Sequence, residues 1–170
     1  MLLLVAVVFS MSLTSCGSDD DNDGTGSGTA TLAVSGKNYS LPYAFFVPGD
    51  SRGGSIMFSS LNILNPAGLT PSTKWTYSVL TFNGITASSV PAGEHTNVYA
   101  ECFVNQGLDD NGQELGVGAI GTAVVSKQGN GYKIDFTSTE ITDVEGSTSV
   151  TSLTISFSGT LTDTTGKWND

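Results

Sequence analysis

LTISFSGTL, residues 153–161, places Leu153, Ile155, Phe157, Gly159 and Leu161 on one parity and Thr154, Ser156, Ser158 and Thr160 on the other. A period of two is the signature of a strand with one buried face, here backed by a hydroxyl-rich outer face. Tyr132, Ile134 and Phe136 alternate in the same way with Lys133, Asp135 and Thr137. WTYSVLTF, residues 75–82, alternates aromatic with polar and then turns apolar on both parities. Ile56 and Phe58 oppose Met57, Leu61 and Ile63, which predicts a strand covered on both faces. No window of a dozen residues carries the 3.6-residue period, and Pro66 and Pro71 oppose a helix between Leu64 and Lys74.

Turn chemistry separates these runs. Gly36-Lys37-Asn38, Pro48-Gly49-Asp50, Arg52-Gly53-Gly54, Asp109-Asp110-Asn111-Gly112 and Gln128-Gly129-Asn130-Gly131 all supply residues suited to tight loops. About eight strands at regular spacing predict one all-β domain over residues 29–170. The expected architecture is a single antiparallel β-sandwich, with a partly closed β-barrel as the alternative, since both share the same local pattern.

The amino-terminal segment is of another kind. Residues 2–9, LLLVAVVF, with Met11 and Leu13, have the length of a secretory apolar core and fall short of the roughly 20 residues of a membrane span. A signal peptide opens with positive charge, yet no Lys or Arg precedes Lys37, so a start codon a few residues upstream of Met1 is expected. Leu13-Thr14-Ser15-Cys16 resembles a bacterial lipobox. The resemblance implies loss of residues 1–15 as a lipoprotein signal peptide and acylation of Cys16. Several acyl chains anchor a protein stably where one binds only marginally.

Residues 16–28 are then expected to form a tether. After Cys16 it contains only Gly, Ser, Thr, Asn and Asp, so no apolar burial offsets its ordering entropy and disorder is expected. Twelve such residues reach about 20 Å on average. Cys16-Gly17-Ser18-Asp19-Asp20-Asp21 resembles the acidic export signal of Bacteroidota surface lipoproteins, with Ser18, Asp19, Asp20 and Asp21 as its residues. That resemblance implies a lipid-anchored location on the outer membrane, facing outward. The aspartates would be repelled by an anionic leaflet and so do not act as a membrane adhesive.

Four of the sixteen acidic residues lie in 19–23, leaving twelve against six basic residues and a net charge of −6 for the domain. Without a basic patch, nucleic acid is not an expected partner. Cys102 shares a strand face with Val98, Ala100 and Val104 and is expected to pack as a small apolar residue. His95 is the single histidine, placed beside Glu94 and a turn, where solvent exposure is expected. With no nucleophile elbow around any serine it supplies no catalytic triad, and one His with one strand-borne Cys supplies no zinc site. Asp109, Asp110, Asn111 and Glu114 form a weak calcium candidate. Their spacing is not that of an EF-hand loop, and a hairpin turn accounts for the same residues. No cofactor is called for.

Exposed aromatics beside polar groups would build a glycan or peptide site; the candidates are Tyr43, Trp75, Tyr77 and Trp168, which could alternatively complete the core or its rim. GKNYSLPYAFF near the start of the domain, the Pro91-Ala92-Gly93 turn, GNGYKIDF and the closing SLTISFSGTL together resemble small uncharacterised Bacteroidales lipoproteins, a group that implies the fold and location but no activity. The expected function is a non-catalytic binding module for a glycan, peptide or protein. The alternative is a structural or assembly component acting through protein contacts, and a hydrolase ranks third.

Intact-mass measurement of the membrane fraction should find residues 1–15 removed and acyl mass on Cys16, with Cys16→Ala abolishing both. An unmodified full-length chain would overturn the anchor.

Overall fold

A computed structural model of the chain describes residues 26–47, 54–65, 69–86, 89–107, 114–146 and 149–167. Ten strands account for most of them: β1 Gly28–Val34, β2 Lys37–Leu41, β3 Tyr43–Val47, β4 Ser55–Ser59, β5 Lys74–Thr81, β6 Gly93–Gly107, β7 Leu115–Gln128, β8 Gly131–Glu145, β9 Leu153–Gly159 and β10 Thr162–Asp163. Among the described residues there is no helix. The all-β class expected from the periodicity is therefore what the chain adopts.

The arrangement corrects the sandwich. Instead of about eight strands in two packed sheets, all ten lie in one sheet ordered β10-β3-β4-β5-β6-β7-β8-β9-β1-β2. Every neighbouring pair is antiparallel except β10 with β3, which is parallel, so the sheet is mixed. The sheet curls into a half-barrel in which β1 meets β3 and β2 meets β5 across the interior. Wide sheets of twisted strands curl or split. This one curls because β6, β7 and β8 run 15, 14 and 15 residues without a break and are bent by bulges. The pairing slips between Trp75 and Tyr77, between His95 and Val98, and twice between Gly118 and Gly121. Each bulge adds local twist and bend.

Local chemistry explains the joins. β1 and β2 are linked through Ser35 and Gly36, both at positive φ (47° and 83°), which leaves Lys37 and Asn38 in β2 rather than in the turn. Gly129, at φ 59°, and Asn130 close the β7–β8 hairpin. Residues 48–53 and 109–112 lie outside the described residues. The alternation of 153–161 stops at Gly159, after which the chain turns and Thr162 pairs beside Phe45. Gly26 and Ser27, expected at the end of the tether, are instead pinned at this corner, and Gly28 already belongs to β1: the Ser27 amide donates to Thr160 Oγ1 at 2.7 Å, and the Thr160 amide donates to Ser27 O at 2.6 Å. A Cβ on Gly159 would collide with Ser27 O.

The interior is filled by alternate residues of nearly every strand, including Leu32, Leu41, Phe46, Phe58, Leu80, Val98, Ile134, Phe136, Ile155 and Phe157. Phe58 meets Phe157 at 5.2 Å between ring centroids, and Phe46 meets Tyr132 edge-on at 6.2 Å. Ile56, Met57 and Phe58 are all buried, so β4 is covered on both faces as expected. The hydroxyl face of β9 is solvated and bonded: Ser156 Oγ donates to Asp135 Oδ1 at 2.7 Å. That bond and Lys133 hold the Asp135 carboxyl below its ordinary range.

On β5 the parity runs against hydrophobicity. Thr76, Ser78 and Leu80 are buried, while Trp75, Tyr77 and Val79 face outward and are half-buried. The buried hydroxyls are satisfied by backbone groups: Ser78 Oγ donates to Glu101 O at 2.8 Å, and Thr76 Oγ1 accepts from the Asn105 amide at 3.2 Å.

Ser78→Leu should therefore destabilise the protein by about 1–3 kcal/mol through overpacking and the lost bond to the Glu101 carbonyl, read as a lowered urea midpoint. An unchanged or raised midpoint would mean that residue 78 faces solvent.

Candidate functional site

The outward parity of β5 and β6 builds an aromatic row. Trp75 and Tyr77 lie 4.2 Å apart between centroids, and Tyr77 stacks on Phe103 of β6 at 5.0 Å. Tyr43 stands in the same register row, through Tyr43↔Ser59, Ser59↔Tyr77 and Tyr77↔Phe103. It also stacks on Phe45 at 6.5 Å. Three of the four aromatics singled out in the sequence thus share the outer face, each half-buried; Trp168 lies outside the described residues. Trp75 Nε1 is shielded from solvent and finds no hydrogen-bond acceptor among the described residues.

Beside the row runs a groove of about 130 Å³ lined by Tyr99, Glu101, Phe103, Gly116, Gly118 and Asp143, among others. Its floor is glycine: a Cβ on Gly118 would lie 2.9 Å from Thr142 Oγ1 and 3.5 Å from the Tyr99 hydroxyl. Tyr99 donates to Glu101 Oε1 at 3.0 Å. Partial burial, then that bond and the charges of Glu101 and Asp143, push the Tyr99 phenol above its ordinary value.

At the far end of β5 and the start of β6 opens a cleft of about 760 Å³ lined by Thr81, Phe82, Asn83, Glu94, His95, Thr96 and Asn97. His95 is half-buried here rather than exposed as its turn-side position suggested. Its ring stacks on Phe82 at 4.5 Å, and Nε2 donates to Pro91 O at 2.9 Å. Among the described residues no carboxylate or hydroxyl is hydrogen-bonded to the imidazole.

Tyr99, Glu101, Phe103, Phe82, Asn83 and Asn97 were not foreseen as site residues. For three of them a signal existed: in VYAECFVN, sending Val98, Ala100, Cys102 and Val104 inward obliges Tyr99, Glu101 and Phe103 to face outward. Asn97 was not legible, because its direction depends on a bulge.

Cys102 is fully buried between Ala100 and Val104, and burial pushes its thiol up to about 12. Of the calcium candidates, Asp109, Asp110 and Asn111 lie outside the described residues. Glu114 is engaged elsewhere, accepting from Asn105 Nδ2 at 2.5 Å and facing Lys37 Nζ at 3.9 Å. Among the described residues no three His, Cys, Asp or Glu side chains converge as metal ligands. Cys16, Ser18, Asp19, Asp20 and Asp21 also lie outside the described residues.

Comparison with protein-family models, with curated proteins and with solved structures finds no match to this chain.

A thiol so placed should resist alkylation in the native protein at pH 8 and react promptly in denaturant, since only the thiolate attacks. Mass measurement reads both states, and rapid native labelling of Cys102 would place it at the surface instead.

Proposed function

We propose that the protein is a non-catalytic binding module, tethered to the outer face of the outer membrane through acylated Cys16, that captures a glycan or peptide on the outer face of β5 and β6. The observation that carries this reading is the parity of β5. The strand buries Thr76 and Ser78 and turns Trp75 and Tyr77 outward, where they stack with Phe103. Core-forming aromatics held half-open on a rigid sheet are what a recognition surface uses, because stiff rings lose little entropy on binding. The adjoining groove brings carboxylates and a phenol within reach of anything lying on the rings.

Capture of a ligand is favoured over assembly through a broad apolar interface. Among the described residues the large hydrophobic side chains that stand exposed are Tyr99 and Val124, with 41% and 49% of their surface accessible, and they lie on different strands. Such scattered side chains are ordinary on a surface and do not amount to an interface patch. A hydrolytic role gains no support from His95, whose Nε2 is committed to a backbone carbonyl.

Detergent-solubilised protein applied to glycan and peptide arrays should retain at least one ligand. Trp75→Ala and Tyr77→Ala should each weaken that binding about tenfold, equivalent to about 1.4 kcal/mol, with the circular dichroism unchanged. Blank arrays, or undiminished binding by both variants, would overturn the assignment.

A further inference from the structure

We infer that the cleft around His95 is a second subsite, at the rim beside the binding face, built to take one neutral, hydroxyl-rich saccharide ring. The inference rests on the binding role proposed above and specifies its ligand. With about 760 Å³ the cleft falls within the roughly 300–1,000 Å³ typical of small-molecule sites. Its lining supplies two amides (Asn83 and Asn97), two hydroxyls (Thr81 and Thr96), one carboxylate (Glu94) and one imidazole. Among the described residues no Lys or Arg lines it, so they offer a phosphate or carboxylate ligand no counter-charge. The one carboxylate among the described lining residues is too little for a hard cation, which takes about six oxygens. Donors and acceptors around one flat ring match a sugar instead: amides and hydroxyls address its hydroxyl groups, and its C–H face lies on the ring.

The platform is preorganised. Phe82, itself buried, backs one face of the imidazole, and the bond from Nε2 to Pro91 O fixes its rotation. In the neutral ring this leaves Nδ1 as an acceptor. The polar rim is set by a bulge: His95 pairs with Ala123 and Val98 with Gly121, so three steps along β6 oppose two along β7. Asn97 absorbs the extra residue at φ 57°, a conformation that asparagine tolerates better than most residues. Thr96 and Asn97 are consequently both exposed, where unbroken alternation would have buried one of them. Bulges beside binding sites commonly re-aim side chains in this way.

The cleft meets the aromatic row only at its edge. Thr81 is the outward residue that follows Trp75, Tyr77 and Val79 on β5, and it pairs with Tyr99. At about 3.3 Å per residue the strip from Trp75 to Thr81 is about 20 Å long. Phe82 and His95, which pairs with the buried Ala123, carry the inward parity, so the saccharide ring sits over the mouth of the half-barrel and not on the outer face.

His95 is the only histidine, so its ring resonances report on the cleft without ambiguity. Glucose, galactose, mannose and N-acetylglucosamine are titrated separately, at millimolar concentration, into detergent-solubilised protein. At least one should shift the His95 ring signals saturably, and Asn97→Gly, which keeps the backbone conformation accessible, should weaken that binding about tenfold. Trp75→Ala, on the outward parity of β5, should leave monosaccharide binding unchanged. Failure of all four sugars to move His95, or undiminished binding by Asn97→Gly, overturns the cleft as a saccharide site. In either case, ligand binding lost in Trp75→Ala leaves the aromatic face standing, so the two proposals fail separately.

Discussion

Once Leu80 points into the half-barrel, every other side chain on β5 is committed to a face, because successive residues of a strand alternate. Sliding the pairing by one residue would bring Trp75 and Tyr77 inside, but it would expel Leu80 together with Thr76 and Ser78. It would also break the pairing of Ile56 with Leu80 and of Leu80 with Ala100, which are buried partners on three adjacent strands. The chain keeps Leu80, and two hydroxyls enter the interior. They are tolerated there because each bonds a backbone group of β6 and leaves no unpaired polar atom. The outer aromatic row is the other side of that commitment.

The second element is bending. β6 carries two asparagines at positive φ, Asn97 and Asn105, near its two ends, and each coincides with a register slip against a neighbour. β8 slips twice against β7 close to Gly118 and Gly121, and a Cβ on Gly121 would collide with Thr137 O and press on the Phe136 ring. Bulges, with glycine at the close approaches, let one sheet wrap around a core that two flat sheets would otherwise enclose. They also decide which polar side chains reach the surface beside the aromatic strip, so curvature and recognition surface share one cause.

Much of the fold was legible in particular residues. The alternation of Leu153, Ile155 and Phe157, and of Tyr132, Ile134 and Phe136, marks β9 and β8 correctly because hydrophobicity and parity agree there. On β5 they disagree, so the aromatics could be named as candidates without being assigned to a face. The number of sheets was not legible, since strands in a sandwich and in a curled sheet carry the same local pattern, and the closing strand β10 is only two residues long. Within the candidate site, Tyr43, Trp75 and Tyr77 were identifiable by residue type, and Tyr99, Glu101 and Phe103 by the parity of Cys102. The cleft around His95 was not, because it assembles from a β5 terminus and a β6 bulge that are neighbours only after pairing.

By itself the sequence determined the all-β class, the inward positions of β8 and β9, the burial of Cys102 and the acidic balance of the domain. These follow from side-chain chemistry and a two-residue period, which act locally. Only the tertiary structure decided that ten strands join in one curled sheet, that Trp75 and Tyr77 lie outside while Ser78 lies inside, and that His95 stacks on Phe82 within a polar cleft. Those outcomes depend on register between strands distant along the chain. Register is settled by the sum of buried pairs across several strands at once, a quantity that no single stretch of sequence contains.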